Sequence, residues 1–289
     1  MRDTHESAAW HAKGGRRLTP PRAFGVMGIV NITPDSFFDG GIHADAAHAL
    51  AHARRLLDQG ADILDLGAES SRPGATELAP SQELSRLLPV LLCVRRQAPG
   101  ATISVDTYHA ETAAAALEAG ADIVNDISAC SFDPGLLDVL IQYKPGYVLM
   151  HSRGRPATMQ DAPRYANIRR EVTAFFEREM ARLVRAGLPE NRIVLDPGIG
   201  FGKTLEHNLE LLQHPEDWKG FGRPVLMALS MKSVFGGLLG LPPAARALPT
   251  AVATALLWAK GVFWHRVHHM AEAMQSLLLA QNLHCTLQR

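Results

Sequence analysis

The chain has 289 residues, enough to bury a full-sized core, and carries 29 basic against 29 acidic residues, a formal net charge of zero. That balance argues against a general nucleic-acid surface and against a membrane-attracted face. Three cysteines (Cys93, Cys130 and Cys285) are too few and too scattered for a disulfide framework or a zinc spacing, so a reducing, cytoplasmic setting is expected.

Residues 1–22 are polar, rich in His, Lys and Arg, and lack the apolar stretch of a signal peptide, so they read as a flexible N-terminal tail. No apolar run is long enough to span a bilayer. From Phe24 onward short apolar runs alternate with longer amphipathic ones. Strands are expected at Phe24–Val30, Ile63–Leu66, Thr102–Val105, from Ile123, at Tyr147–Met150, Ile193–Leu195, Val225–Leu229 and Val262–Val267. Helices are expected at Asp45–Gln59, Pro80–Arg96, Ala110–Ala119, Gly135–Gln142, Tyr165–Ala186, Thr204–Leu212, Ala244–Ala259 and Ala271–Asn282. Glycines at Gly60, Gly120 and Gly261 close helices just before new strands, as left-handed caps do. About eight βα units predict an α/β fold, a (β/α)8 TIM barrel occupying residues 23–289. An open doubly wound sheet would need a glycine-rich phosphate loop after its first strand, where Asn31-Ile32-Thr33-Pro34 stands instead.

Active sites of such barrels lie at the carboxyl ends of the strands. Nearly every expected strand here ends in a polar group: Asn31, Glu69 to Arg72, Asp106, Asn125-Asp126, His151, Asp196, Ser230 to Ser233, and Arg266 to His268. A whole ring of them predicts a ligand pocket. Asp106, Asn125 and Asp196 suit a flat, nitrogen-rich heterocycle, because each carboxylate accepts two parallel N–H bonds. Asp106 and Asp126 also read as helix N-caps, Asp126 more strongly. Arg72, Lys232, Arg266 and His268 read as cationic rim groups suited to a phosphate or diphosphate. A magnesium ion held mainly by a diphosphate, with Asn31 as one protein oxygen, satisfies the hard-ligand rule. The loops Asn31–Gly41 and Gly67–Glu77 read as lids carrying Asp35 and Arg72.

Several stretches in order resemble the dihydropteroate synthases of the pterin-binding family. They are Met27 to Phe37, Gly60 to Gly74, Ser104 to Tyr108, Val124 to Ile127, Met150-His151, and Asp196-Pro197-Gly198-Ile199-Gly200-Phe201-Gly202-Lys203. The resemblance implies a transferase of folate biosynthesis. It joins para-aminobenzoate to 6-hydroxymethyl-7,8-dihydropterin diphosphate, giving 7,8-dihydropteroate and diphosphate. It implies pterin contacts from Asp106, Asn125, Met150, Asp196, Phe201, Lys232 and Arg266. Diphosphate falls to Asn31, Arg266 and His268, with Mg2+ on Asn31. The para-aminobenzoate set is Ser71, Arg72, Pro73, Phe201, Lys232 and Ser233, and the catalytic set Asp35, Asp106, Asp196 and Lys232. A homodimer is implied through the last two helices, whose stripes (Leu248, Val252, Leu256; Met274, Leu277, Leu278) otherwise read as barrel packing.

Three departures stand out. The family's Ser-Arg-Lys-Ser is Ser230-Met231-Lys232-Ser233, its Arg-Val-His-Asp is Arg266-Val267-His268-His269, and its Gly-Glu-Ser-Thr is Ala68-Glu69-Ser70-Ser71. An arginine lost beside an anion costs about 1–3 kcal/mol of binding unless replaced, for which Arg246 and Arg223 are candidates. Two rival readings follow. One is a methyltetrahydrofolate:corrinoid methyltransferase, which would not need the cationic rim; the other is a catalytically idle pterin-binding paralogue.

Overall fold

The computed structural model describes residues 9–32, 41–72 and 74–287. Eight parallel strands form a barrel. They are β1 (Gly25–Asn31), β2 (Ile63–Gly67), β3 (Thr102–Asp106), β4 (Ile123–Asp126), β5 (Gly146–Met150), β6 (Ile193–Asp196), β7 (Leu226–Met227) and β8 (Trp264–Val267). Hydrogen bonding runs in the order β6-β5-β4-β3-β2-β1-β8-β7, and a parallel bridge between Leu195 and Val225 closes the last gap. The helices are α1 (Gly41–Asp58), α2 (Pro80–Gln97), α3 (Ala110–Glu118), α4 (Leu136–Tyr143), α5 (Ile168–Ala186), α6 (Leu205–Gln213), α7 (Ser233–Leu239), α8 (Ala247–Ala259) and α9 (Met270–Leu287). Helix α7 was not expected; Gly236 and Gly237 inside it hide the helical pattern. Gly60, Gly120 and Gly261 all take positive φ at the junctions where glycine caps were expected.

Strand residues divide by parity. Val26, Val30, Leu64, Leu66, Ile103, Val105, Tyr147 and Leu149 point outward into the main core beneath the helices. Met27, Ile63, Ile123, Val148, Val194, Leu226 and Trp264 form a separate inner cluster near the amino ends of the strands. Two residues further along the same inward faces stand Asp65, Asn125, Met150, Asp196 and Arg266. On β2, β4, β6 and β8 the inward face therefore begins apolar and ends polar.

The flexible-tail expectation is corrected for residues 9–22. Trp10 is 1% exposed and joins Ala12 and Leu18 in the inner apolar cluster. The Trp10 indole donates to the Arg192 carbonyl at 2.7 Å and meets the Trp264 ring edge-on at 5.2 Å. Arg16 reaches the Thr102 hydroxyl at 3.0 Å and Asp122 at 3.2 Å. An open barrel end would leave the inner apolar layer wet, and burying one Trp there outweighs the polar composition around it. The segment is a plug.

The stripe Leu248, Val252 and Leu256 is exposed (73, 50 and 62%), so it does not pack on the barrel, whereas Met274 and Leu277 are buried. No helix among the described residues is long and apolar enough to cross a membrane.

Candidate active site

The polar ends of the inward faces converge in one cup. At its floor Arg266, on β8, donates from Nε to Asp65 Oδ2 at 2.6 Å and from Nη2 to Asp106 Oδ2 at 2.5 Å. Asn125 donates to the same Asp65 oxygen at 3.1 Å. Asp65 is fully buried, and a buried carboxylate is tolerated only when paired in this way. It was missed as a site residue, although a carboxylate in the middle of the doubly buried run Ile63-Leu64-Asp65-Leu66 was a readable signal. Burial, reinforced by Asp65 and opposed by Arg266, raises the Asp106 carboxyl above its ordinary range. Neither expected helix cap is one: His109 stands at the start of α3 without a side-chain cap, Asp133 accepts the Ala110 N–H there, and Gly135 precedes α4. Asp126 points away from the cup. It accepts the backbone N–H groups of Ser128 (2.7 Å) and Cys130 (2.6 Å) and the Tyr147 hydroxyl (2.9 Å), which fixes the turn after β4.

Asp196 ends β6 and opens the glycine-rich turn, its Oδ1 accepting the Gly198 N–H at 2.7 Å. Burial raises its carboxyl too, against Lys232, Arg266 and Lys203. Gly198 (φ +66°) and Gly202 (φ +61°) pass so close to the backbone after β5 that a Cβ would sit 1.9 Å from the His151 oxygen and 2.4 Å from the Arg153 oxygen. No side chain fits at either position. Lys203, the lysine of this turn, is buried and donates to the carbonyls of Gly198 (2.9 Å), Phe201 (3.0 Å) and His151 (3.1 Å). It holds the turn together. Burial, with Lys203 beside it, lowers His151 to about 2, so this imidazole is neutral.

Phe201 lies beneath Lys232, whose Nζ is 4.1 Å from the ring centroid. Phe201 also belongs to an apolar cluster with Tyr108, Ile127, Met150 and Met159. Burial, with Arg266 nearby, lowers the Lys232 amine to about 8 despite Asp196 and Asp106. Ser233 follows at the first position of α7, exposed.

His268 differs from the expected cationic rim group. Burial first, then Arg266, His269, Lys232 and Arg72, lower it to about 3. The Ser230 hydroxyl oxygen accepts the His268 backbone N–H at 3.0 Å and stands 2.9 Å from its Nδ1. Burial keeps the ring neutral, and its Nδ1 is held by the Ser230 hydroxyl.

The loop after β2 is tied at several points. Glu69 accepts the Leu78 N–H at 2.9 Å, Gly74 donates to the Pro156 carbonyl at 3.1 Å, and Arg155 reaches Glu77 at 2.9 Å. It carries Ser71 half-buried and Arg72 exposed. Pro73 and Asp35, with most of the first lid loop, lie outside the described residues; Asn31 ends β1 opposite Gly67. Arg223 lies at the other end of the barrel, donating to the Glu190 carbonyl, and replaces nothing in the cup. Arg246 donates to the carbonyls of Met231 and Leu241 at 3.2 Å. There it supports the turn that carries Lys232, in which Met231 takes a left-handed φ of 61°.

A buried carboxylate pair, a neighbouring amide and an apolar wall of Met and Phe suit a planar heterocycle rich in N–H groups. The sequence profile described as pterin binding enzyme matches residues 27–268. The chain is 38% identical to the dihydropteroate synthase of Escherichia coli over 89% of its length and 90% of that protein. A dihydropteroate synthase structure from Xanthomonas albilineans with 4-aminobenzoic acid superimposes with a TM-score of 0.88 at 39% identity, covering 96% of this chain and 98% of that one. Another from the same organism, in complex with 7,8-dihydropteroate, gives 0.83 at 34% identity, with 96% and 99% covered. The chain belongs to the pterin-binding enzyme family and, within it, to the dihydropteroate synthases.

Proposed function

We propose that the protein joins 6-hydroxymethyl-7,8-dihydropterin diphosphate to para-aminobenzoate, releasing diphosphate and forming 7,8-dihydropteroate. The observation that carries this reading is the convergence of Asp106, Asn125 and Asp196 around a floor of Asp65 and Arg266, beside the Lys232–Phe201 stack.

In this reading Asp196 accepts two N–H bonds from the aminopyrimidine edge, and Asn125 and Asp106 read the rest of the ring. Met150 and Phe201 cover its faces. Bond cleavage at the pterin methylene expels diphosphate and leaves a cation delocalised into the ring, which the aniline nitrogen of para-aminobenzoate then captures. Asp106 and Asp196 stabilise that cation as it forms, so catalysis is positional and electrostatic. No covalent bond to the protein forms. Asn31, Arg266 and His268 hold the diphosphate. The donor set fits magnesium only as a shared ion, since Asn31 offers one hard oxygen and the diphosphate must supply the others. When bound, Mg2+ neutralises charge on the leaving group. Lys232, Phe201 and Ser233, with Ser71, Arg72 and Pro73 of the second loop and Asp35 of the first, receive para-aminobenzoate.

The exposed leucines and valine of the adjoining α8 and α9 (Leu248, Val252, Leu256, Leu279, Leu283) support a homodimer through this face, because a soluble monomer rarely shows so much aliphatic surface in one place. A cytoplasmic location belongs to the same reading, and the two free thiols among the described residues, Cys93 and Cys130, support it.

The test is diphosphate release by the purified protein with magnesium, the dihydropterin diphosphate and para-aminobenzoate. Release that requires para-aminobenzoate and yields dihydropteroate is expected. Pterin binding without release would instead establish an idle paralogue.

A further inference from the structure

A second polar cluster lies outside the cup, between the roots of the loops after β2 and β3. Glu69 stands two residues beyond β2, Glu83 in the first turn of α2, and His109 immediately before α3. Their ligand atoms all lie within 4.8 Å of one another. All three side chains are at least nine-tenths buried: Glu83 is 0% exposed, and the Glu69 and His109 side chains are 7% and 9% exposed.

Each carboxylate is satisfied on one oxygen only. Glu69 Oε1 accepts the Tyr108 hydroxyl at 2.7 Å and the Leu78 N–H at 2.9 Å, and Glu83 Oε2 accepts the Thr107 hydroxyl at 3.0 Å. The remaining atoms, Glu69 Oε2, Glu83 Oε1 and His109 Nε2, have no partner in good hydrogen-bond geometry, although the Thr112 hydroxyl stands close enough to Glu83 to ease its charge. Glu69 Oε2 faces His109 Nε2 at 3.3 Å without hydrogen-bonding geometry. No Lys or Arg among the described residues pairs with either glutamate. The one counter-charge that the described residues set against these two buried carboxylates is His109, and only when it is protonated; the amino end of α2 offsets a fraction of the remaining cost.

From this geometry we infer that Glu69, Glu83 and His109 form a binding site for a divalent transition-metal ion of the zinc class, separate from the magnesium of the diphosphate. One imidazole nitrogen and two carboxylate oxygens are ligands that Zn2+ accepts in a four-coordinate site with water in the fourth place, and the nitrogen disfavours Mg2+. Zinc bonds of about 2.0–2.1 Å put tetrahedral ligands roughly 3.3 Å apart, and the Glu69–His109 pair stands at 3.3 Å already. The third ligand atom, on Glu83, lies within 4.8 Å of the other two. The hydrogen bonds to Thr107, Tyr108 and Leu78 orient the carboxylates, as outer partners of metal ligands do. Because Glu69 also fastens the far end of its loop through Leu78, an ion held here staples the root of the segment that carries Ser71 and Arg72.

The test titrates Zn2+ alone into the chelator-treated full chain, without substrates, beside Glu83→Gln and His109→Gln. One equivalent per chain is expected in the wild type, weakened at least about 10-fold in each variant, as loss of a ligand requires. Zn2+ should raise the melting temperature and slow amide exchange over residues 68–79 in the wild type only. Equal Zn2+ binding by wild type and variants, or no binding, would overturn the site and leave a carboxyl proton as the charge partner. Glu83→Gln preserves shape, and if it fails to fold, His109→Gln decides alone.

Discussion

The two ends of this barrel are built from the same eight strands and do opposite work. At the amino end the inward residues are Met27, Ile63, Ile123, Val148, Val194, Leu226 and Trp264, sealed by Trp10 and Leu18. At the carboxyl end they are Asp65, Asp106, Asn125, Asp196 and Arg266. On β2, β4, β6 and β8 a step of two residues separates a dry apolar layer from a network of buried polar and charged groups. The plug removes water from one end, so the charges at the other stand on a low-dielectric floor, where their fields act strongly on a ligand. Stability and chemistry are thereby assigned to different residues.

The largest expected effect comes from the amino end. Trp10→Ala removes a fully buried indole and its hydrogen bond, and should cost about 3–5 kcal/mol in denaturant unfolding, while kcat at 20 °C stays within about twofold of wild type, since 1.4 kcal/mol is needed for a tenfold change. A large loss of kcat in a variant that remains folded would break the division between the two ends. At the rim, Arg72→Ala should raise the KM for para-aminobenzoate about 10- to 100-fold, the loss of one charged hydrogen bond, with pterin affinity unchanged. An effect confined to pterin binding in the absence of para-aminobenzoate would remove the loop assignment.

Two smaller effects read the electrostatics. His265 is 1% exposed, points outward from β8 into the helix layer, and is lowered by burial to about 3. The unfolded chain therefore takes up a proton below pH 6.5 that the native protein refuses, and stability falls as pH drops. At pH 5 this amounts to about 2 kcal/mol, so His265→Gln should lose correspondingly less stability between pH 7.5 and pH 5. Identical pH dependence in both proteins would show that the ring is protonated in the fold. In the cup, Lys232 loses its proton as pH rises through about 8. The KM for para-aminobenzoate should accordingly climb above pH 8, by at most about tenfold per unit, and a profile flat to pH 9.5 would exclude the amine as a carboxylate partner.

Much of this was legible in the sequence. The strand runs and the glycine junctions at Gly60, Gly120 and Gly261 gave the barrel, because a parallel strand buried on both faces cannot hide its apolar content. Asp106, Asn125 and Asp196 were legible for the complementary reason: polar groups at the ends of such strands have few bland uses. What escaped depended on partners far away in the chain. Trp10 and Leu18 lie among polar residues, and nothing local shows that an open barrel end awaits them. Asp65 looks like a flaw in a strand until Arg266, 201 residues later, is placed beside it. By position alone His268 reads as a cation, but its charge is decided by burial and by Arg266, which spacing does not reveal. Gly236 and Gly237 masked α7, although packing against α6 holds it.

The central claim is that the charged carboxyl end of the barrel holds the pterin. It is tested most directly by calorimetric titration of dihydropterin diphosphate, with magnesium, into wild type and Asp196→Asn, with unfolding curves taken on the same samples. The account predicts affinity weakened by on the order of 100-fold or more, from the loss of paired charge-assisted hydrogen bonds, in a protein as stable as wild type. Wild-type affinity in Asp196→Asn would contradict it.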